Sequence, residues 1–210
     1  MKFRLPICVR PALFDALWFF TGALASAQAP ARPVSVIFET ELGPITLEVD
    51  VAHAPVTSAN FLRYVDGKFY DGGQFIRAVR HDNTVRHDVE IQGIQAGSNP
   101  ARDKELFPPI PLERTTVTGL KHLDGTISMA RGEPNSATSS FWIAIGDQLS
   151  LDFGGSRNPD GQGFATFGRV IRGMDVVKRI QAAHTGTEGA FRTETLQPAI
   201  RILRAHRATP

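Results

Sequence analysis

Two neighbouring segments in which apolar and polar residues partly alternate constrain the fold more than any other feature of this chain. They are residues 34–40 (VSVIFET) and 45–50 (ITLEVD). Alternation with a period of two is typical of a β-strand, because successive side chains point to opposite faces. Residues 41–44 (ELGP), which lie between the two segments, have the composition of a turn. The sequence therefore predicts a β-hairpin at residues 34–50.

The rest of the chain predicts more strands and only two helices. Pro55 begins a segment with apolar residues at helical spacing that stops at Gly67, and a second, shorter helix is predicted at residues 174–182. Further strands are predicted at residues 73–79, 89–95, 126–130, 140–145, 164–171 and 198–205. This content indicates a mainly β protein with an antiparallel sheet or barrel rather than a parallel α/β fold.

Residues 1–27 have the pattern of a signal peptide for export. Three basic residues precede an apolar stretch at residues 12–24, and small residues follow it, with cleavage predicted after Ala27. Because Asp15 interrupts the apolar stretch, a disordered N-terminal tail is the alternative. The stretch is too short for a helix that remains in a membrane. We therefore expect a periplasmic protein without stable membrane insertion after the signal is removed.

The predicted cleavage defines the domain organisation. It leaves a short linker at residues 28–33, one domain at 34–205 and a C-terminal tail at 206–210. The polar, proline-rich residues 80–114 are predicted to form a long surface excursion rather than a second domain.

Cys8 is the single cysteine, so the exported protein would contain no thiol to oxidise. Basic and acidic residues balance outside the signal peptide, so we predict no basic patch and no nucleic-acid partner.

Few residue patterns indicate conventional catalysis. His81 and His87, each followed by an aspartate in RHDNTVRHD, are the one metal candidate, but their spacing is not that of metal ligands and predicts solvated loop residues. The sequence contains no G-x-S-x-G motif, phosphate-binding loop or dinucleotide fingerprint. We therefore expect no metal and no cofactor, and hydrolase or transferase chemistry has no support.

Several segments occur in an order that is informative as a set. They are FIRAV (75–79), IQAG (94–97), GTISMAR (125–131), NSATSSFWI (135–143) and FATFGRVIRGMDVV (164–177). With these motifs the chain resembles the cyclophilin family of peptidyl-prolyl isomerases from about residue 34 to 204. The resemblance implies a cyclophilin-like eight-stranded antiparallel β-barrel capped by two α-helices, with a packed interior and a substrate groove on the outer surface.

The resemblance also implies a set of site residues. Arg77 would be the catalytic residue, because its fixed cation can donate hydrogen bonds to a twisting X–Pro amide. Gln95 would orient the substrate or Arg77, with Gln92 as the alternative register. The implied substrate-binding residues are Phe75, Met129, Ala130, Arg131, Phe141, Trp142, Leu151 and Phe164. The resemblance puts Trp142 in the place of the pocket phenylalanine, and strand alternation puts Phe141 on the opposite face, so Phe141 is the better candidate for the core.

The chain departs from the family pattern at one edge of the implied pocket. Ile76, Ser140, Ser150 and Phe164 replace a histidine, a glutamine, an aromatic residue and a second histidine. Two functions remain open. One is a monomeric prolyl isomerase that acts on proline-containing segments of unfolded or newly exported proteins. The other is a cyclophilin-like peptide-binding module or chaperone with little turnover. The loss of the aromatic residue at Ser150 also predicts weak binding of cyclosporin-type inhibitors.

Overall fold

The computed structural model describes residues 32–208, whose strands form a closed antiparallel barrel. Eight strands follow one another in the order β1-β2-β7-β5-β6-β4-β3-β9, and β9 pairs with β1 to close the ring, while the two-residue β8 pairs with β9. The predicted eight-stranded barrel is confirmed. The strands are β1 (Val34–Thr40), β2 (Gly43–Val49), β3 (Gln74–Val79), β4 (Gly93–Gly97), β5 (Thr126–Met129), β6 (Phe141–Ala144), β7 (Thr166–Arg172), β8 (Thr185–Gly186) and β9 (Thr195–Arg207).

Two helices pack against the barrel, as predicted. Helix α1 (Pro55–Asp66) begins with a proline, whose fixed φ suits the first turn and whose missing N–H is not needed there. A single turn, α2 (Thr115–Thr118), was not predicted from the sequence. Helix α3 (Met174–Gln181) contacts β2, β3 and β4, whereas α1 contacts β7 and β9. None of the helices in residues 32–208 has the length and apolar character needed to cross a membrane.

The barrel interior is filled by aromatic side chains. The Phe141 ring on β6 lies 5.4 Å from Phe38, 5.5 Å from Phe61 and 5.6 Å from Tyr70, measured between ring centroids. All four residues are fully buried. A close-packed interior leaves no room for a peptide. Any peptide-binding site must therefore lie on the outer surface of the barrel.

Some predicted boundaries differ from the structure. The predicted signal peptide 1–27, with Cys8, and the linker residues before residue 32 lie outside the described residues. Strand β4 begins at Gly93, later than the predicted 89–95, and as a barrel strand between β3 and β6 it interrupts the surface excursion predicted at residues 80–114. Strand β9 continues to Arg207, which pairs with Val36, so it enters the predicted tail 206–210.

Candidate active site

A cavity of about 280 Å³ lies on the outer face of the barrel. Four of its residues come from adjacent strands and are cross-strand partners. Arg77 on β3 is opposite Gln95 on β4. Trp142 on β6 is opposite both Gln95 and Ser128, which lies on β5. Cross-strand partners point to the same face of a sheet, so these side chains form one row. The cavity is lined by Arg77, Arg86, Ile91, Gln95, Ser128, Ala130, Arg131, Trp142, Leu151, Arg157, Asn158, Phe164 and Phe191.

A β-bulge turns Arg77 out of the barrel. In a regular strand, residues 75 and 77 would face the same side. Phe75 and Ala78 both face the core, however, and the pairing of β3 with β4 and with β9 shifts register between Phe75 and Arg77. Ile76 is the extra residue, and such a bulge redirects the next side chain. A charged residue therefore fits into an apolar strand, because the bulge points it into the cavity.

Arg77 is held by a buried carboxylate. Its Nε donates to Oε2 of Glu194 at 2.7 Å, and its Nη2 lies 2.6 Å from the same oxygen. The other oxygen of Glu194 accepts a hydrogen bond from the backbone N–H of Val85 at 3.0 Å. The guanidinium carbon also lies 4.9 Å from the Phe191 ring centroid and 5.7 Å from that of Trp142. Arginine has five N–H donors, so these contacts leave N–H groups on Nη1 and Nη2 for other partners.

Gln95 is the glutamine that the structure places beside Arg77. Its Oε1 lies 3.4 Å from Nη1 of Arg77, and its Nε2 donates to Oγ of Ser140 at 3.1 Å. Gln92, the alternative considered from the sequence, instead has its Nε2 2.7 Å from Nε2 of His81 at the surface. Gln95 therefore belongs to the row of cavity residues and Gln92 does not.

A small apolar cluster forms one side of the cavity. Trp142, Leu151 and Ile91 pack together with Phe164, separately from the barrel core. The Trp142 ring lies against the start of β4, where a side chain at Gly93 would overlap both the indole and the carbonyl oxygen of Ile143. Only glycine permits this approach. The cluster offers a surface on which an apolar ring can rest beside the guanidinium of Arg77.

Three residues assigned to substrate binding from the sequence are core residues instead. Phe75, Met129 and Phe141 are at most 1% exposed and belong to the barrel interior, and none lines the cavity. Each has a neighbour of opposite orientation, because side chains alternate along a strand. Ser128 and Trp142 are the outward-facing neighbours of Met129 and Phe141. The assignment of Phe75 and Met129 to the pocket is therefore corrected, and so is that of Phe141, for which the structure agrees with the core position favoured above.

Ala130 and Arg131 lie at the edge of the cavity, but the Arg131 guanidinium has no free donor. Its three nitrogens make five hydrogen bonds, to the carbonyl oxygens of Gly132 and Gly163 and to the carboxylate of Asp160. The hydrogen bonds from Arg131 to Asp160 lower the pKa of the Asp160 carboxyl. All five N–H groups are thus used. The Arg131 side chain therefore holds the loop before Phe164 in place and has no donor left for a ligand.

Sequence reasoning missed the cavity residues that come from loops. Arg86 and Ile91 come from the segment between β3 and β4, which forms part of the groove wall, while Arg157 and Phe191 come from loops before β7 and β9. No local pattern in the sequence marks them. The fold brings four arginines from distant segments to this cavity, and three of them are paired with carboxylates.

His81 and His87 lie outside the cavity. Nδ1 of His81 contacts one oxygen of Glu90 at 2.5 Å, and Nδ1 of His87 lies 3.6 Å from the other. Across residues 32–208, no group of three or more His, Cys, Asp or Glu side chains has an arrangement that could hold a metal ion.

The cavity is suited to binding and hydrogen bonding rather than to proton transfer. Its ionisable lining residues are all arginines, which keep their proton near neutral pH. General acid–base catalysis needs a group with a pKa near the working pH. A reaction in this cavity would therefore depend on fixed donors next to an apolar surface.

Comparison with known proteins identifies relatives of the whole described domain. The family model for cyclophilin type peptidyl-prolyl cis-trans isomerase/CLD matches residues 35–207. A peptidyl-prolyl cis-trans isomerase of Streptomyces antibioticus is 37% identical over 168 residues, which cover 79% of this chain and 94% of that protein. One from Acinetobacter baylyi is 36% identical over 178 residues, which cover 84% of this chain and 87% of that protein.

A solved structure has the same fold. The cyclophilin type peptidyl-prolyl cis-trans isomerase of Cryptosporidium parvum, determined in the presence of the dipeptide Ala-Pro, superposes with a TM-score of 0.65. The match covers 84% of this chain and 99% of that one, at 18% sequence identity.

Proposed function

The chain belongs to the cyclophilin-type peptidyl-prolyl cis-trans isomerase family and is an enzyme of that class, and we propose that it accelerates X–Pro rotation with Arg77 as the hydrogen-bond donor to the twisting amide. The reaction is slow without a catalyst, because conjugation gives the C–N bond partial double-bond character and a barrier of about 18–20 kcal/mol. Interactions that are stronger with the twisted amide than with the planar one lower this barrier.

The observation that carries the proposal is a fixed cation with unused donors next to an apolar cluster. As the amide twists, the lone pair localises on the prolyl nitrogen, and a guanidinium N–H from Arg77 bonds to it more strongly than to the planar amide. The buried pair with Glu194 fixes the guanidinium before substrate binds, so little reorganisation is needed. The ring of proline would rest on Trp142, Leu151 and Phe164 while the preceding peptide unit turns.

The proposed substrates are proline-containing segments of unfolded or newly exported proteins. The relative from Cryptosporidium parvum was solved in the presence of Ala-Pro, and the groove of this chain has a cation and an apolar surface suited to the same chemistry. We further propose export through residues 1–27 and action as a monomer in the periplasm. Cell fractionation with and without residues 1–27, and light scattering of the purified chain, test these two points.

One contact favours the alternative of a peptide-binding module with little turnover. Glu194 occupies two nitrogens of Arg77 and neutralises its charge, which weakens the attraction of the guanidinium for the amide. Such a protein would still hold extended peptides on the apolar cluster.

The deciding experiment measures isomerisation and peptide binding together. Rates of cis–trans exchange in an X–Pro peptide are measured by NMR with the wild-type chain, Arg77→Ala and Arg169→Ala. Arg169 is a matched control on β7, exposed and paired with Glu48 outside the cavity. Binding is followed by the fluorescence of Trp142 in a Trp18→Phe background, where it is the only tryptophan.

Three outcomes are distinct. Acceleration that is lost in Arg77→Ala and kept in Arg169→Ala supports the proposal. Equal acceleration in all three proteins would show that Arg77 is not the donor. Binding without acceleration would establish the peptide-binding module instead.

A further inference from the structure

The cavity contains one arginine whose charge is not compensated. Arg157 is 8% exposed and lines the cavity, yet no carboxylate in the described part of the chain lies within ion-pair distance of it. Its guanidinium makes one hydrogen bond, from Nη1 to the carbonyl oxygen of Val89 at 2.7 Å. A buried cation without an anionic partner is unfavourable, because burial removes water and one carbonyl hydrogen bond replaces only part of it.

Each of the other three arginines of the cavity forms an ion pair with a carboxylate. Arg77 pairs with Glu194, Arg86 with Asp88 and Arg131 with Asp160. These six charges cancel, so Arg157 leaves the cavity with a net positive charge. The lining residues include no Asp or Glu that could shift to Arg157.

Neighbouring charges add to the imbalance at Arg157. Burial lowers the pKa of its guanidinium, and repulsion from Arg86 and Arg77 lowers it further, while Glu194 and Asp88 oppose the shift. The backbone carbonyl of Arg157 is also held, because it accepts a hydrogen bond from Nη1 of Arg86 at 2.7 Å. The guanidinium is therefore fixed at the cavity wall, with Nε and Nη2 unused by any described residue.

We propose that this groove prefers substrates in which an Asp or Glu residue flanks the proline, because the side-chain carboxylate supplies the counter-ion that Arg157 lacks. The inference rests on the proposed isomerase activity and specifies its substrate class. A carboxylate accepts two hydrogen bonds from an arginine fork, which makes such pairs stronger than neutral hydrogen bonds. Arg157 acts here as a specificity-determining residue and takes no part in the rotation itself.

The test compares peptides that differ only in the charge of one side chain. Isomerisation of Ala-Glu-Pro-Phe, Ala-Gln-Pro-Phe and Ala-Lys-Pro-Phe is measured by NMR exchange, with a second set that carries Glu, Gln or Lys after the proline. The proteins are the full-length wild type, Arg157→Gln, Arg157→Lys and the surface control Arg169→Gln. Gln retains a donor for the carbonyl of Val89, and Lys retains the charge without the fork.

In the wild type we expect kcat/KM for the Glu peptide of at least one set to exceed that for the Gln peptide by about fivefold to tenfold at low salt. The Lys peptide should be the poorest of that set, and the ratio should fall with added salt, since a partly open cavity is screened. Arg157→Gln should bring the ratio close to one, Arg157→Lys should keep part of it, and Arg169→Gln should leave it unchanged.

Failure of this inference is separable from failure of the proposed function. Isomerisation of the Gln and Glu peptides at equal rates by the wild type, or a ratio that persists in Arg157→Gln, would overturn the acidic preference and leave the isomerase intact. If Arg157→Gln does not fold, two measurements still decide the question. They are the salt dependence of the Glu-to-Gln kcat/KM ratio in the wild type and the value of that ratio in Arg157→Lys. Absence of isomerisation with every peptide would overturn the proposed function, and the preference with it.

Discussion

Nε and Nη2 of Arg77 lie 2.7 and 2.6 Å from the same oxygen of Glu194, whose side chain is 1% exposed. The two residues come from distant parts of the chain, the first from β3 and the second from the turn that precedes β9. A carboxylate that is completely buried and also accepts the N–H of Val85 has little freedom to move. The pair therefore determines which nitrogens of Arg77 face the cavity.

Replacement of Arg77 should separate catalysis from stability. We expect Arg77→Lys to lower kcat/KM by about 10²- to 10³-fold, because an ammonium cannot hold Glu194 and reach the amide with the same fixed geometry. Its free energy of unfolding should change little, since the charge is kept. Arg77→Ala should lose activity to the same extent and also lose about 3 kcal/mol of stability, because Glu194 is left buried without its partner. NMR exchange rates and urea titrations measure the two effects.

Glu194 is predicted to be a positioning residue. Glu194→Gln retains the shape of the side chain but not its charge, so Arg77 should gain rotational freedom and kcat should fall by about fivefold with KM nearly unchanged. The Nε–H signal of Arg77 in the NMR spectrum, slowed in exchange by the buried pair, should broaden in this variant. A kcat equal to that of the wild type, with the Nε–H signal lost, would show that the pair serves stability alone.

Replacement of the neighbours Phe141 and Trp142 should affect different properties of the protein, because the two side chains lie on opposite faces of β6. Phe141→Leu should lower the free energy of unfolding by about 1–2 kcal/mol and leave KM for an X–Pro peptide within about twofold. Trp142→Ala should raise KM by about tenfold by removing the largest member of the apolar cluster. Trp142→Phe is the matched control, since it keeps an aromatic surface. A larger KM effect in Phe141→Leu than in Trp142→Ala would contradict this division.

The fold was predictable because local patterns and tertiary structure agree. The hairpin of β1 and β2 follows from alternation and a turn, and α1 follows from Pro55 and helical spacing. Alternation also separates Phe141 from Trp142, and the same rule applied to β5 would have replaced Met129 with Ser128 among the candidate residues.

The remaining site depends on contacts between distant segments. The bulge at Ile76 lies in the pairing of β3 with both β4 and β9, and no residue in FIRAV indicates it. Glu194 lies in a stretch with no regular pattern, so its pairing with Arg77 follows only from the closed barrel. Arg131 lines the cavity, but the use of all its donors depends on a loop that contains Asp160.

The pair of Arg86 and Asp88 should be visible in an acid titration. The hydrogen bonds from Arg86 lower the pKa of the Asp88 carboxyl from 3.8 to about 2. A lowered pKa means that the pair stabilises the fold above pH 3.8 and that this contribution disappears as the pH falls through about 2. Arg86→Gln should return the pKa towards 3.8, as followed by carboxyl carbon shifts in NMR. Arg102→Gln, which breaks the separate pair with Glu105, should leave the Asp88 titration unaffected.

Activity should be nearly independent of pH around neutrality. Arginine is the only ionisable residue type in the cavity lining. His81 and His87, the histidines closest in sequence to Arg77, contact Glu90 outside the cavity. We therefore expect kcat/KM for an uncharged X–Pro peptide to change by less than about twofold between about pH 6 and 9. NMR exchange measures this range without a coupling protease whose own activity depends on pH. A bell-shaped profile would require a group that gains or loses a proton during the reaction, and since the cavity offers none, it would place the chemistry elsewhere on the barrel.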